Sequence, residues 1–480
     1  MSTFSTLEIG KRALQASNFA LDVTSNNVAN ATTEGYSRRV AQQSQSNPFN
    51  KYGYQLGTGV DIDSMRSFRQ EYLDREVRKA NANLASYEAD VNFYSNVETI
   101  LQEPTDNNLG QLFNDLLTAF DDLALQPESI GLRENLITNT QTFVERLNNA
   151  SSDLQAMRAQ ANTDLTNEIH EANEYISQIV NYNKAISISK DKSHNDSLTF
   201  MDKREVAIEA LSKLGNITVT YEDTGLANVF MNGINVVTGA TGQTLKVVES
   251  NNQETGESNL SVVVYNEKKD YTVPVNPTSG KIAASQKQYN ILLDPVDTSG
   301  AFSIMKTLDT YANTIADKIN SIFATGYGIN DTAGDPPGRV MFVSNTGEPI
   351  TAGNIRVSDD MKNAADMPLS GTANTPGNSD VARAISRIMQ DGFFLNGQTP
   401  SEFYSNFIGH ISNDAQAAVA AKKSSQLVVE SLNSTRDSVM GVNMDEEAIN
   451  LIKYQKNLEA AAKIIAINSQ VLSTIVNLGK

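Results

Sequence analysis

The residues of this sequence that could carry chemistry are few and lie far apart. The histidines are His170, His194 and His410, and none belongs to a His-x-x-x-His or His-Glu-x-x-His pattern that would hold zinc. Cysteine is absent, which excludes disulfides, thiolate ligands and thiol nucleophiles. The Gly-x-Ser-x-Gly pattern of a serine nucleophile is also absent. We therefore expect no catalytic residue, no metal site and no cofactor.

Two short motifs stop before they could bind a ligand. Gly280-Lys281 has the ending of a phosphate-binding loop, but Val275 replaces the first glycine and Ile282 replaces the final Ser or Thr. The pair at positions 61 and 63 begins like a calcium loop, yet Met65 occupies the next ligand position. Neither motif supports a binding site.

Composition narrows the range of partners. The 480 residues include 38 Lys and Arg against 56 Asp and Glu, a net charge of -18, which disfavours a nucleic-acid partner because phosphate binding needs clustered cations. No stretch approaches the ~18 consecutive apolar residues of a membrane span, so membrane insertion is not expected. The length is that of two to four domains, since single cores rarely grow past about 250–300 residues.

Both ends of the chain carry amphipathic helical patterns. Apolar residues recur at seven-residue intervals in each, the spacing of a helix that packs against another helix. Each stripe needs a partner, so we expect the terminal helices to pair and to form an assembly interface. The residues of this predicted interface are Leu7, Leu14, Leu21 and Val28 near the start, and Met444, Leu451, Leu458, Ile465 and Leu472 near the end.

The middle of the chain shows long helical patterns and then a change of period. Apolar residues at three- and four-residue spacing run from about 66 to 190, and the last ~50 of these residues would form a rod of roughly 75 Å. From 216 to 280 apolar and polar residues alternate, which predicts strands. Helical spacing returns at 302–323, 381–389 and 403–435, and a loop region rich in Gly, Pro and Asn lies at 326–380.

The predicted fold is therefore mainly α with a small β insertion, in a nested multidomain chain with long coiled-coil-like helical rods and paired terminal segments. We assign residues 1–45 and 436–480 to a terminal helical assembly domain. Residues 46–215 and 281–435 form a helical rod domain with loops, and residues 216–280 form a β-rich outer domain.

Two motifs, one near each end, resemble those of flagellar rod, hook and hook-associated proteins. The first, NNVANATTEGYSR, contains Asn26, Asn27, Asn30, Gly35, Tyr36, Ser37 and Arg38. The second, GVNMDEE followed by LIKYQ, contains Asn443, Asp445, Glu446, Glu447, Tyr454 and Gln455. Arg38 after Tyr36-Ser37, the acidic triplet and the long helices at 66–190 resemble the hook-associated protein 1 family more than hook or rod proteins. The segments LALQP, with Arg133 after it, and DKRE at 202–205 are also similar to that family.

This resemblance implies a structural, non-enzymatic subunit that joins hook to filament in the extracellular flagellum. Such proteins are exported unfolded through the flagellar type III apparatus and assembled at the hook tip. The implied partners are other copies of the chain in a ring, the hook protein and a second junction protein of the flagellin-like type. A cytoplasmic export chaperone is expected at the C-terminal helix, around 440–475.

The physics of short helices agrees with this scheme. A single terminal helix of about 25 residues is marginal without packing, so the ends are expected to be disordered in the free chain. Neighbouring copies would then bury Leu7, Leu14 and Leu21 against Leu451, Leu458 and Ile465. Two alternatives remain open: another axial flagellar subunit of hook, rod or filament, and a secreted enzyme or adhesin that uses the β domain.

Overall fold

The computed structural model describes residues 3–51, 54–102, 108–190, 194–252, 257–266, 271–296, 300–332, 334–394 and 397–478. Helices dominate these residues, and the expected class, mainly α with a small β insertion, is confirmed. The helices are α1 (Thr3–Ala29), α2 (Glu71–Leu101), α3 (Leu109–Leu125), α4 (Ile130–Lys190), α5 (His194–Leu214), α6 (Lys281–Lys287), α7 (Ile304–Phe323), α8 (Asp380–Gln390), α9 (Pro400–Met440) and α10 (Met444–Leu478).

The strands are short and antiparallel. They are β1 (Arg39–Gln45), β2 (Phe49–Lys51), β3 (Tyr54–Leu56), β4 (Val60–Ser67), β5 (Ile217–Tyr221), β6 (Ala227–Met231), β7 (Ile234–Thr238), β8 (Thr241–Gly242), β9 (Thr244–Asn252), β10 (Glu257–Asn266), β11 (Tyr271–Pro274), β12 (Phe342–Ser344) and β13 (Ile355–Val357). In the described residues, no helix has the length and apolar content needed to cross a lipid bilayer.

The long rod is α4, which spans 61 residues and about 90 Å. Its inward stripe, which includes Leu136, Phe143 and Leu154, is fully buried, as the apolar spacing predicted. The helical pattern that we read from about 66 begins only at Glu71, because residues 60–67 form β4 instead.

The helical body combines α2, α3, the first half of α4, α7, α8 and α9 around one apolar core. Aromatic rings fill its centre, with Tyr311 and Phe143 at 6.4 Å between ring centroids and Phe120 and Phe323 at 6.1 Å. The loop region after α7 closes one side through β12 and β13, which bury Phe342. This core explains why the loop segment has a defined course despite its Gly and Pro content.

Arg133, six positions after the end of the LALQP segment, lies inside this body. It is 1% exposed. Its guanidinium donates to the carbonyl oxygens of Pro127 at 2.8 Å, Met367 at 2.8 Å and Ala364 at 3.1 Å. Burial lowers the pKa of Arg133 to about 10. The side chain therefore ties the start of α4 to the loop before α8.

The predicted β region is present and packs against the second half of α4, with α5 and α6 beside it. One sheet has the order β5-β6-β7-β8 and the other β11-β10-β9. Their inner faces, which include Val229, Val237 and Val262, share an apolar core with Ile176 of α4. Asn183 of α4 fixes the first sheet, since its amide donates to Ala227 O at 2.8 Å and accepts from Ala227 N at 3.2 Å.

A β-ribbon between α1 and α2 was not predicted. Strands β1 and β4 pair antiparallel with a register shift at Gln42/Gln43, and β2 pairs with β3 beyond them. Its strands are rich in Gln, Ser and Asp, so the apolar alternation that reveals a strand is weak here. Asp61, considered above as part of a calcium loop, instead pairs with Arg12 of α1 at 2.8 Å.

Candidate assembly site at the chain termini

The two terminal helices lie side by side and run antiparallel. Gly10 of α1 packs so closely on α10 that a methyl group there would come within 3.0 Å of Ile465 Cγ1. At the other end of α1, the Asn27 amide donates to Glu447 Oε2 at 3.4 Å. The predicted pairing of terminal segments is therefore confirmed, and Gly10 sets how closely the two backbones approach.

The predicted interface stripe lies partly in this pairing. Its members are partly buried, except for Met444, which is exposed: Leu7, Leu14, Leu21, Val28, Leu451, Leu458, Ile465 and Leu472. The residues of α1 that are buried are smaller neighbours of the stripe: Ala16, Ala20 and Val23. The use of this stripe between copies stays a prediction.

The first stripe finds part of its partner within the chain, since α1 packs along α10. The physical reason is that both helices meet the helical body at one point, where Arg38 N donates to Met440 O at 3.1 Å. The predicted disorder of the free ends stays a prediction.

A second apolar face of α10 points away from α1. The seven-residue pattern of the predicted interface did not identify this surface, because its residues fall between the positions of that pattern. We call this surface the outer face. Its members are exposed by 42 to 65%: Ile449, Ile452, Ile467, Val471 and Ile475.

The N-terminal motif folds into a hydrogen-bonded loop after α1. The side chain of Asn27 is 1% exposed and pairs with the backbone of Arg39, donating to its carbonyl and accepting from its amide, both at 2.9 Å. The Tyr36 hydroxyl donates to the carbonyl oxygens of the Asn26 and Asn27 side chains at 3.0 and 2.8 Å. Asn30 Nδ2 donates to Asn26 O at 2.9 Å. These bonds explain why the motif is dense in asparagine.

Gly35 in this loop meets a steric requirement. Its φ is +75°, and a methyl group there would lie 2.3 Å from Cγ2 of Val206 on α5. Only glycine adopts this conformation and leaves this space at little cost. The loop therefore sits directly on the helical body.

The C-terminal motif opens α10 and meets the first motif. Asn443 caps the helix, since its Oδ1 accepts from the amides of Asp445 at 3.0 Å and Glu446 at 3.2 Å. Arg38 then joins the two motifs: its Nε donates to Glu447 Oε1 at 2.6 Å, and its Nη1 lies 3.2 Å from Glu446 Oε2. Of the remaining motif residues, Tyr454 is partly buried and Gln455 is exposed.

A cluster of charged residues joins the paired motifs to the helical body; we call it the polar seam. Arg39 Nη2 lies 3.1 Å from Asp202 Oδ2, and Arg69 Nη2 lies 3.7 Å from the other oxygen of Asp202. Arg69 also donates to Ser37 Oγ at 3.1 Å and to Gly35 O at 3.2 Å. The seam therefore connects the N-terminal loop to α5 through two guanidinium groups.

The seam continues on α2, α5 and α9. Glu205 accepts from the Tyr221 hydroxyl at 2.7 Å and lies 3.5 Å from Arg78. Arg436 of α9 reaches Glu209 at 2.7 Å. Burial raises the pKa of Tyr36 to about 12, and burial also raises the pKa values of Asp74 and Asp202 against the opposing effect of Arg69.

Sequence reasoning flagged Asp202 and Glu205 only by resemblance and missed Arg39, Arg69 and Arg436. A usable signal existed on α2, where Asp74 and Arg78 stand four residues apart on the buried face. The arrangement pairs cations with anions. In the described residues, no group of three or more His, Asp or Glu could hold a metal ion.

Models of three flagellar protein families match separate parts of the chain. A family model described as flagellar hook-associated protein FlgK helical domain matches residues 94–342. The model of the flagella basal body rod protein matches residues 7–36, and that of the flagellar basal body rod FlgEFG protein C-terminal region matches residues 436–478. The last two coincide with the helices and motifs that meet at the seam.

Similar proteins extend over nearly the full length. Flagellar hook-associated protein 1 of Bacillus subtilis (strain 168) is 25% identical, with 99% of this chain and 98% of that protein covered. The Escherichia coli (strain K12) protein of the same name is 21% identical, with 97% and 98% covered. A solved structure of the flagellar hook junction protein FlgK from Burkholderia pseudomallei covers 75% of this chain and 100% of its own, with a TM-score of 0.60 and 14% identity, which indicates a shared fold.

Proposed function

Because the chain belongs to the family of flagellar hook-associated protein FlgK, we propose that it is the structural subunit that joins the hook of a bacterial flagellum to its filament. In this role it forms a ring of copies in the axial tube, with the hook protein on one side and a second junction protein of the flagellin-like type on the other. Its place is extracellular, at the hook–filament junction.

The observation that carries the assembly mechanism is the outer face of α10. Five apolar side chains remain exposed along the outer face after α1 has covered the opposite side. Exposed apolar patches of this extent mark interaction surfaces on soluble proteins. Burial of such side chains contributes roughly 25 cal/mol per Å², so a neighbouring copy that covers the outer face gains stability.

The terminal pair also suits export before assembly. A chain without cysteine forms no disulfide on the way through an export channel. An unfolded α10 exposes both of its apolar sides, and a cytoplasmic chaperone that binds residues around 440–475 would cover them. Pairing of α1 with α10 then follows export, when both ends of the chain are available.

Deletion of the gene tests this function. We expect cells with hooks but no filaments, seen by electron microscopy, and filament protein released into the medium. Complementation with the wild-type chain restores filaments, and complementation with Ile467→Asp on the outer face does not. A matched control is Ile188→Asp on α4, an apolar side chain that is 61% exposed outside the terminal pair.

The outcomes separate the alternatives. Missing hooks would place the chain in the rod or hook, and intact filaments in the deletion strain would contradict an axial role altogether. If Ile467→Asp restores filaments as well as Ile188→Asp does, the outer face is not an assembly surface, whereas the junction role would stand.

A further inference from the structure

The apolar cores of the described chain stop short of the terminal helices. One buried cluster draws on residues 93–418 and the other on residues 161–289. None of their buried members comes from α1, the β-ribbon or α10. We call these three elements the terminal unit. It is therefore attached to the helical body without a shared apolar core.

The attachments that do exist are short and polar. The chain passes between the terminal unit and the body at Phe68–Gln70 and at Gly441–Asn443. Backbone hydrogen bonds join these two crossings, because Phe68 N donates to Arg38 O at 2.8 Å and Arg38 N donates to Met440 O at 3.1 Å. Both crossings thus lie at one place, as they must if the unit is to turn about a single axis.

One carboxylate of the body contacts both ends of the β-ribbon. Asp202 of α5 takes Arg39 on one oxygen at 3.1 Å and Arg69 on the other at 3.7 Å. Arg39 is the first residue of β1, and Arg69 lies two residues after the end of β4. Asp202 therefore contacts both ends of the ribbon. The side chains of Asp202 and Arg39 are 10% and 9% exposed, so this pair is only weakly screened by salt.

An open space lies beside this clamp. A cavity of about 500 Å³ lies between the motif loop at 31–37, α2, α5 and the end of α9. Its walls carry polar atoms that make no hydrogen bond, including Arg69 Nη1 and Asp74 Oδ2, which are 3.9 Å apart. This space gives the unit room to move beside the contact of Gly35 with Val206.

We propose that the polar seam is a hinge, about which the terminal unit swings relative to the helical body, and that Asp202 is the clamp that sets the resting angle. Polar interfaces between domains permit relative motion, whereas large apolar ones prevent it. Loss of the clamp leaves the ends of the ribbon held by a neutral bond from Arg39 to Thr199 at 3.1 Å and by the 3.6 Å approach of Arg69 to Glu205, so the unit samples the cavity side. This inference does not depend on the flagellar role of the chain.

Distance measurements between spin labels test the hinge in the full chain. The absence of native cysteine allows labels at chosen exposed sites. One pair joins Gln455 of α10 to Ser424 of α9 and crosses the hinge, while a second pair joins Asn96 of α2 to Ser424 and lies within the body. In the wild-type chain we expect a single narrow distance distribution for both pairs.

The decisive variant is Asp202→Asn, with Asp331→Asn as its matched control. Asp331 also forms a mostly buried ion pair, with Arg339 at 2.6 Å, but it lies in the loop region of the body. We expect Asp202→Asn to widen the hinge-crossing distribution at least twofold and to leave the Asn96–Ser424 distribution unchanged. Asp331→Asn should change neither.

Two results would overturn the proposal. The first is a hinge-crossing distribution in Asp202→Asn that equals that of Asp331→Asn, and the second is a wild-type distribution already as wide as that of Asp202→Asn. If Asp202→Asn widens the body pair too, its fold is damaged, and Arg39→Gln replaces it as the decisive variant with the same two criteria.

Discussion

Glu447 offers the sharpest test of how the two sequence motifs hold the terminal unit together. Its side chain is 2% exposed and faces Arg38 across a 2.6 Å hydrogen bond, while Asn27 approaches at 3.4 Å. Replacement by alanine removes the carboxylate that joins the N-terminal loop to the start of α10. We therefore expect Glu447→Ala to loosen the first turns of α10.

The magnitude follows from the interactions that are lost. A hydrogen bond to a charged group contributes about 1.5–3 kcal/mol. The carboxylate also lies in the first turn of α10, where a negative charge contributes about 0.3–1 kcal/mol. The long bond from Asn27 adds little. Because Arg38 keeps Glu446 at 3.2 Å, its charge is not left unpaired, and the total cost is about 2–4 kcal/mol.

Amide hydrogen exchange, measured by mass spectrometry, tests this cost because a less stable helix start opens more often and its amides exchange faster. Each 1.36 kcal/mol is a factor of ten, so amides at the start of α10 should exchange about 30- to 1000-fold faster in Glu447→Ala. Amides in the buried part of α4, on the far side of the polar seam, should be unchanged. The comparison therefore separates local opening of the terminal unit from a loss of overall stability.

Glu446→Ala is the matched control. Glu446 contacts the same arginine, but its side chain is 58% exposed, and exposed pairs contribute about 0–1 kcal/mol. We expect less than a fivefold change in exchange. Equal effects of the two variants, or an acceleration below threefold in Glu447→Ala, would refute the view that burial makes the Arg38–Glu447 bond the tie between the motifs.

Three further predictions concern the body and the interface. Arg133→Met leaves three buried carbonyl oxygens without their donor, so it should lower the free energy of unfolding by about 3–5 kcal/mol. Urea denaturation followed by circular dichroism measures this loss, which should be smaller in Arg133→Lys. Equal losses in the two variants would contradict this account. Burial raises the pKa of Glu168 to about 7 from 4.5, so the native chain binds more protons than the unfolded chain between these values, and its stability falls as pH rises through this window. Glu168→Gln should match the wild type near pH 4.5 and exceed it by about 3 kcal/mol above pH 7. A difference that does not grow with pH would refute the assignment. Leu458→Asp should abolish incorporation into flagella while circular dichroism shows the helical and β middle intact, and normal incorporation would contradict the terminal-helix mechanism.

The sequence was sufficient for features that depend on local periodicity. The seven-residue spacing of Leu451, Leu458 and Ile465 predicts α10, and the alternation after residue 216 predicts the strands of the β region. Both patterns follow from the geometry of one element, in which every third or fourth residue, or every second one, faces the same way. The capping role of Asn443 was readable for the same reason, since the cap bonds to residues two and three positions ahead.

The tertiary structure decided what the polar residues do. Arg39 and Asp202 are 163 positions apart, and no sequence pattern around either residue predicts that they pair. They pair because the fold places the ends of the β-ribbon beside α5, and this placement depends on the topology of the whole chain. The same holds for the two sides of α10: its sequence is apolar around much of the helix, and only the position of α1, set at the Arg38–Met440 crossing, determines which side is covered and which remains open.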